Sequence, residues 1–542
     1  MGKHLHIKEK IKQNWKSGLT VAFVSIPLSI SLAVAAGATP LMGVITAIWA
    51  GLFASIFGGS NFNIVGPTGA LSGILIVFAI KYGVSILPLL AIITGLMTLT
   101  VYLLRWERYI VFIPSSVVHG FTLGVAFIIG LGQFNFAFGL KNLPAHENLI
   151  DNLGESLAHI SSLHWATVAL TVFGFIFLLV WRKFYPKVPG VMVLAPAGIL
   201  LGYLSQTKII GVEFQTLFSK FGDISGNLLA LPNISWTLNK DILLGAAAIS
   251  VVAILETLMS AKIADGMTKT KHNTRKEVLG AGVANIFSGL FGGLPATAAL
   301  ARTSLNVKSG ANDKMSATIS SICIFIISAA FLFVFKYLPL PVVASILIFT
   351  ATQMVESEHF VKFYRNDKSA FLLSIIVAII TVVEDPIIGI LIGSVAALLL
   401  FANKMSKAET EIGLNKDGKL LGRINARRLF KTKNQGDTLV YRFAGQLTYV
   451  NTQSHMDNVS AINDDVKVVV FSFRNLFFLD MDGMESIKEM VEMLKRKEKL
   501  VLLSSANGIV QDMLLKEKWF NQMDEKGQIF SNTKDALERE IA

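Results

Sequence analysis

Long apolar runs, each about 17–25 residues and separated by short polar or basic stretches, follow one another from about Gly18 to Ala402. A run of that length crosses the hydrocarbon core of a bilayer as a helix. The runs predict fourteen helical segments, near 19–36, 41–57, 67–80, 86–104, 114–133, 164–181, 189–205, 242–262, 277–291, 296–308, 315–335, 340–355, 369–383 and 385–402. Beyond them the pattern changes. Residues 403–436 are polar and basic, and strand-like runs follow at 439–443 and 467–473, with a helical period from Met484 to Lys495 and another strand at 500–503. Strands alternating with helices predict a small α/β domain. The expected organisation is an N-terminal segment 1–17, a transmembrane domain 18–402, a linker 403–436 and a C-terminal domain 437–542.

Two of the segments are too short to span. Phe57-Gly58-Gly59 leads through residues 61–65 to Gly66-Pro67-Thr68-Gly69-Ala70, and Phe291-Gly292-Gly293 leads to Leu294-Pro295-Ala296-Thr297-Ala298. Each reads as a break, an extended piece and a half-helix that starts after proline, where the missing N–H would be unpaired anyway. Their places in the series are seven segments apart, so they enter from opposite sides. That is the pattern of an inverted repeat, in which broken helices in matching positions mark a binding site near the midplane. Two half-helix N-termini aimed at one place suit an anion.

Composition agrees with this reading. Of 542 residues, 53% are hydrophobic and 16% charged, against roughly 45–50% apolar and 25% charged in a soluble domain. The N-terminus lacks a short apolar segment followed by a small-residue cleavage site, so the first span is expected to stay in the protein. The net charge of +12 is first a matter of topology. With Lys8, Lys10, Lys12 and Lys16 placed in the cytoplasm, Arg105/Arg108, Arg182/Lys183/Lys187, Lys269/Lys271/Arg275/Lys276, Lys308/Lys314 and Lys362/Arg365/Lys368 fall on the same side. The positive-inside rule is then satisfied with both termini cytoplasmic, as expected in a bacterial inner membrane. No nucleic-acid partner is implied. Cys323 is the only cysteine, which excludes an intrachain disulfide and a cysteine-based zinc site.

Glu256 lies inside an apolar run, and Arg302 follows the second break. Ionisable groups at that depth are costly and mark function by default. No P-loop, nucleophile–base set or Cys/His metal pattern appears, which argues against an enzyme or an ATP-driven pump, and no cofactor or metal is expected. Passive anion conductance stays open as an alternative to a carrier. A nucleobase carrier of the same half-helix type would place acids in both half-sites, whereas residues 294–302 offer an arginine and no acid.

The combined motifs resemble the SulP family of anion transporters, relatives of solute carrier family 26. They are Ile26-Pro27…Ala33…Ala36-Gly37, the string at 58–70, Pro114…Gly120-Phe121, and Glu256…Ala264-Asp265-Gly266-Met267…Asn285…292–297…Ala301-Arg302-Thr303…Asn306…Gly310. The resemblance covers nearly the whole chain. It implies a fourteen-span fold of two inverted seven-span repeats, divided into core and gate, with a cytoplasmic STAS domain, elevator-like movement of the core, and often a homodimer. It places Arg302 just behind the anion as a source of field. Direct contacts would come from the half-helix backbones at Gly69, Ala70, Leu300 and Ala301 and from the Thr68 and Thr297 side chains.

Glu256 has three readings: a structural partner of Arg302, a proton carrier, or a sodium ligand together with Ser260, one turn away on the same helical face. The resemblance favours the proton, because proton-coupled members carry Glu there. Many members follow the proline of the first span with a substrate-contacting Gln; here Leu28 follows Pro27, leaving Ser29 or Ser31 to substitute. His119 in the fifth span has two readings, facing the same cavity or packing against a backbone carbonyl, and packing is the expected one. Phe478-Leu479-Asp480-Met481-Asp482-Gly483 resembles the strand-to-helix turn of STAS domains, but Met481 and Asp482 stand where many relatives have hydroxyl residues, so neither position accepts a phosphate. The expected function is transport of sulfate or a related inorganic oxyanion by proton symport. Bicarbonate, dicarboxylates, sodium coupling and anion exchange remain alternatives.

Overall fold

The computed structural model describes residues 2–538 apart from residues 113, 142, 145, 147, 148, 187, 225, 233, 235, 385, 408, 409, 417, 418 and 434. Lys187, named above, lies outside the described residues. The chain divides into two compact units, Met1–Ala397 and Leu398–Ala542.

In the first unit a helix occupies each of the fourteen predicted segments. In chain order these are α1 (Gly2–Ala35), α2 (Pro40–Phe57), α3 (Gly69–Tyr82), α4 (Leu87–Leu103), α5 (Ser115–Leu131), α6 (Trp165–Phe184), α7 (Val191–Gln206), α8 (Lys240–Thr268), α9 (Thr274–Leu290), α10 (Leu300–Lys308), α11 (Met315–Phe331), α12 (Leu340–Met354), α13 (Lys368–Val383) and α14 (Pro386–Met405). Among the described residues nine helices are long and apolar enough to cross a membrane. The half-helices α3 and α10 span 14 and 9 residues. A short helix, Ser357–Asn366, bridges α12 and α13.

The helices pack in two groups. In one, α1 lies on α11 and α2, α4 on α9 and α8, and α9 on α2; in the other, α5 lies on α13 and α12, and α12 on α6. Adding seven to each number converts α1·α2 into α8·α9, α1·α3 into α8·α10 and α5·α12 into itself, so the packing repeats as the inverted pattern requires. Glycines allow the closest approaches. A Cβ on Gly43 would lie 2.2 Å from the Ser29 carbonyl oxygen, and one on Gly120 would lie 2.4 Å from that of Ser374. Close backbone approach through small residues is how helices associate without a hydrophobic drive between them.

The symmetry breaks where the groups meet. Helix α3 packs on α5, and α1 packs on α12 and α7. No comparable packing joins their mates, α10 with α12 or α8 with α5 and α14, among the described residues.

The second unit carries a six-stranded sheet in the order β4-β3-β5-β6-β7-β8, formed by β3 (Thr410–Lys416), β4 (Lys419–Asn425), β5 (Thr438–Leu447), β6 (Val468–Leu479), β7 (Leu500–Ser504) and β8 (Ile529–Phe530). The strands β5 to β8 run parallel, with helices including α15 (Thr452–Ser460) and α16 (Met481–Arg496) in the crossovers. Residues 403–436, expected as a linker, instead supply β3 and β4, and the sheet therefore begins before 437. Their polar look has a physical cause: β4 is an edge strand, exposed along much of its length with Lys419 and Arg423 outward, as charged edges that resist further pairing should be.

His455 is buried in this unit. Its Nδ1 lies 2.9 Å from the Tyr441 hydroxyl, and among the described residues its Nε2 has no partner. Burial pushes its pKa down to about 4, below the ordinary value near 6.5. The unfolded chain therefore binds a proton that the folded one refuses, and stability is lost as pH falls from about 6.5 towards 4, by about 3 kcal/mol in all. Urea unfolding of this unit in the intact protein should show that slope, and His455→Asn should flatten it.

Candidate functional site

The two breaks meet. Strand β1 (Val65–Gly66) pairs antiparallel with β2 (Thr297–Ala298), Val65 opposite Ala298 and Gly66 opposite Thr297. Each strand runs within three residues into its half-helix, so the pairing brings the N-termini of α3 and α10 together. Neither start is capped by a side chain: Thr68 and Ala299 at the N-cap positions make no capping hydrogen bond. The first backbone N–H groups of a helix have no intrahelical acceptor, and their positive end favours an anion.

The neighbouring helices hold these pieces rigidly. Glu277 of α9 is buried, and its carboxylate accepts from the Gly59 and Ser60 N–H groups and from Asn63 Nδ2, each at 2.6 Å. Asn285, two turns further along α9, accepts from Ala296 N–H and donates to Ala296 O. One helix thus fastens both breaks. From α10, Thr303 Oγ1 accepts from Ile64 N–H, and Asn306 Nδ2 donates to Phe62 O at 2.9 Å. The sequence motif contains Asn285, Thr303 and Asn306 but gives no hint of Glu277, which follows Arg275-Lys276 in the first turn of α9 and reads as an ordinary charged helix start.

Arg302 is 1% exposed. Its guanidinium crosses to the first half-site, where Nη2 donates to Pro67 O and Nη1 lies 3.4 Å from Ser29 Oγ. Gly66 makes room for it: a Cβ there would stand 2.8 Å from Nη1. The charge sits at the base of both half-helices. Ser29 of the first span reaches this region, whereas among the described residues Ser31 Oγ is buried without a partner.

Glu256 is half-buried on α8 and accepts from the Thr68 hydroxyl at 3.3 Å. Its side chain bonds to Thr68, and the Arg302 bonds go to Pro67 and Ser29, so among the described residues the acid and the base make no direct salt bridge. Ser260 donates to Thr303 at 2.9 Å and braces α10. Thr297 is fully buried and its hydroxyl donates to Ala253 O on α8, which ties β2 down. Thr68, Gly69 and Ala70 are buried, Leu300 is half-buried and Ala301 is exposed. Gly69 lies under the second helix group, since a Cβ on it would be 2.8 Å from Ile129 Cδ1 and from Met354 Sδ.

His119 does not rest on a carbonyl. Its Nδ1 lies 3.0 Å from Glu356 Oε2, and its ring stacks on that of His359 with centroids 4.2 Å apart. The partners are more than 230 residues away in sequence, which is why the pairing could not be read there.

Residues 11–377 match the model of the sulfate permease family, and residues 430–536 match that of the STAS domain. The chain belongs to the sulfate permease family. It is 33% identical over 407 residues to a putative sulfate transporter, YvdB, of Bacillus subtilis, covering 74% of this chain and 75% of that one. It is 24% identical to the bicarbonate transporter BicA of Picosynechococcus, covering 93% and 90%. Among solved structures, SLC26A9 superposes with a TM-score of 0.81 at 13% identity over 98% of this chain and 90% of that chain. The transmembrane domain of a cyanobacterial BicA gives a TM-score of 0.61 at 23% identity, over 72% and 97%. The fold is therefore the transmembrane fold of this family followed by a STAS domain. The protein is an integral membrane anion transporter and not an enzyme.

Proposed function

We propose that this sulfate permease family member is a secondary active carrier that moves sulfate, or a closely related inorganic oxyanion, together with a proton. The observation that carries the reading is the β1–β2 pairing, which joins two uncapped helix N-termini over a buried arginine. The anion would be held by backbone N–H groups at Gly69, Ala70, Leu300 and Ala301. Arg302 supplies field from behind, since its own donors are turned to Pro67 and Ser29. Thr297 and Ser260 act as braces, given where their hydroxyls point. Glu256 carries the proton: it stands beside the site, is bonded to Thr68, and is free of a salt bridge to Arg302. Protonating it removes a negative charge next to the anion, so proton and anion favour each other's binding.

Elevator-type movement fits the broken symmetry. The first half of the repeat is packed on the opposite helix group and its mate is not; exchanging the two packings would open the other side. Both termini then lie in the cytoplasm, in a bacterial inner membrane, with the carrier working as a homodimer. Bicarbonate is the second reading, supported by the BicA relatives, because N–H groups and one arginine suit any small oxyanion.

Purified protein in liposomes, offered labelled sulfate, bicarbonate or succinate with and without proton and sodium gradients, tests this. Sulfate accumulation that follows an inward proton gradient and ignores sodium is the expected result. Sodium-driven bicarbonate uptake with no sulfate uptake would replace it with the second reading.

A further inference from the structure

The chain between α12 and α13 has little room. Val355 and Glu356 leave the helical conformation, with ψ of 96° and 71°, and the short helix Ser357–Asn366 follows. Asp367 then caps α13 at once, accepting from the Ser369 and Ala370 N–H groups. Ten residues make about 15 Å of helix, half the hydrocarbon thickness of about 30 Å, so this piece does not span. Tied so closely to two membrane helices, it stays at the level where both reach the membrane surface.

The short helix has three faces. At about 100° per residue, His359 and Phe363 share one side, Phe360, Val361 and Tyr364 a second, and Glu358, Lys362 and Asn366 a third, with Arg365 at the border of the last two. The first side meets protein: the His359 ring stacks on that of His119, and the Phe363 ring stands 5.9 Å from the same imidazole. The second side is apolar yet open, with Val361 49% and Tyr364 61% exposed. It continues into α13, because the Tyr364 ring meets that of Phe371 edge-on at 5.4 Å. Beyond Phe371, the side chains of Leu372, Ile376 and Ile379 form an exposed apolar stripe along a membrane span, the kind of surface that lipid covers.

We propose that the helix Ser357–Asn366 lies in the membrane–water interface and binds anionic phospholipid headgroups. A helix with an apolar face towards the acyl chains and basic residues on its polar face is the form that lies in the interface plane. Lys362 and Arg365 are placed to reach phosphates from the border of the apolar face, and the guanidinium fork of Arg365 matches a phosphate. Lys368 opens α13 beside them, and Arg182 at the end of α6 reaches the same level through its bond to Gln353 in the last turn of α12. Of the three nearby acids, Glu356 turns to His119 and Asp367 caps α13, which leaves Glu358 on the outward side. Positive charge therefore prevails where the headgroups lie.

Full-length protein carrying Cys323→Ser and one added cysteine, labelled with a nitroxide-quenchable fluorophore and placed in liposomes, tests both parts. Labels on Val361→Cys and Tyr364→Cys should be quenched by nitroxides on the acyl chains and shielded from aqueous iodide, and those on Glu358→Cys and Asn366→Cys the reverse. All four positions are exposed, so the variants should fold; melting temperature is the control. Iodide reaching all four labels alike would overturn the interfacial placement. For the headgroup, nitroxide-bearing phosphatidylglycerol should quench the label at position 361 at a mole fraction at least about 10-fold lower than nitroxide-bearing phosphatidylcholine, and Arg365→Gln should cut that preference about 5-fold, the effect of one basic residue at an anionic surface. Lys419→Gln, on the edge strand β4, should leave it unchanged. Equal quenching by the two lipids overturns the headgroup site, and a preference that survives Arg365→Gln overturns its assignment to this helix. Neither readout involves transport, so both stand apart from the carrier reading.

Discussion

Replacing Arg302 with Gln should lower sulfate uptake at least about 100-fold, equivalent to about 2.7 kcal/mol. The size follows from what the guanidinium does. It is a buried charge at the base of two helix N-termini, where a charge-assisted interaction contributes about 1.5–3 kcal/mol and screening is weak. Gln ends about where Arg has its Nε, so it gives up the charge together with the reach to Pro67 O. Arg302→Lys should recover part of the activity, because it restores the charge without the planar fork that reaches both Pro67 and Ser29. Initial uptake rates in liposomes, with thermal melting as a folding control, measure both. A Gln variant that transports normally would show that the anion does not use this field.

Replacing Glu256 with Gln should abolish proton-driven accumulation and leave the site standing. The side-chain oxygen of Gln still accepts the Thr68 hydroxyl, so β1 and α3 keep their place. What is lost is the group that takes up and releases a proton. Wild-type uptake should rise as the outside is made more acidic than the inside. The Gln variant should be flat across the same gradients while still exchanging internal for external sulfate. Full retention of the gradient dependence would assign the proton elsewhere.

These two residues were visible in the sequence because burying charge in an apolar run demands a reason. The half-helices were visible too, since Gly-Gly followed by a proline interrupts a span in matching places. Other parts were hidden for definite causes. Glu277 belongs to a segment that reads as an ordinary helix, and its three backbone and amide donors come from residues 59–63, far away in the chain. Hydroxyl direction is also invisible: Thr68, at the N-cap of α3, meets Glu256, and Thr297, in β2, meets the backbone of α8. Strand β4 reads as linker because an exposed edge strand carries the same polar residues as a loop, and the inner strand β3 mixes Thr410, Glu411, Asn415 and Lys416 with only two large apolar residues. The His119–Glu356–His359 cluster joins segments on either side of most of the repeat, beyond the reach of any local spacing rule.

The division of labour proposed here gives the anion to the helix ends and the field to Arg302. A structure of the protein with selenate, a sulfate mimic whose selenium is located by anomalous scattering, tests that most directly. The prediction is a single strong selenium peak between the N–H groups of Gly69 and Ala70 and those of Leu300 and Ala301, with the Arg302 guanidinium behind it and still bonded to Pro67. A peak elsewhere in the transmembrane unit, with no density between the two half-helices, would contradict the account.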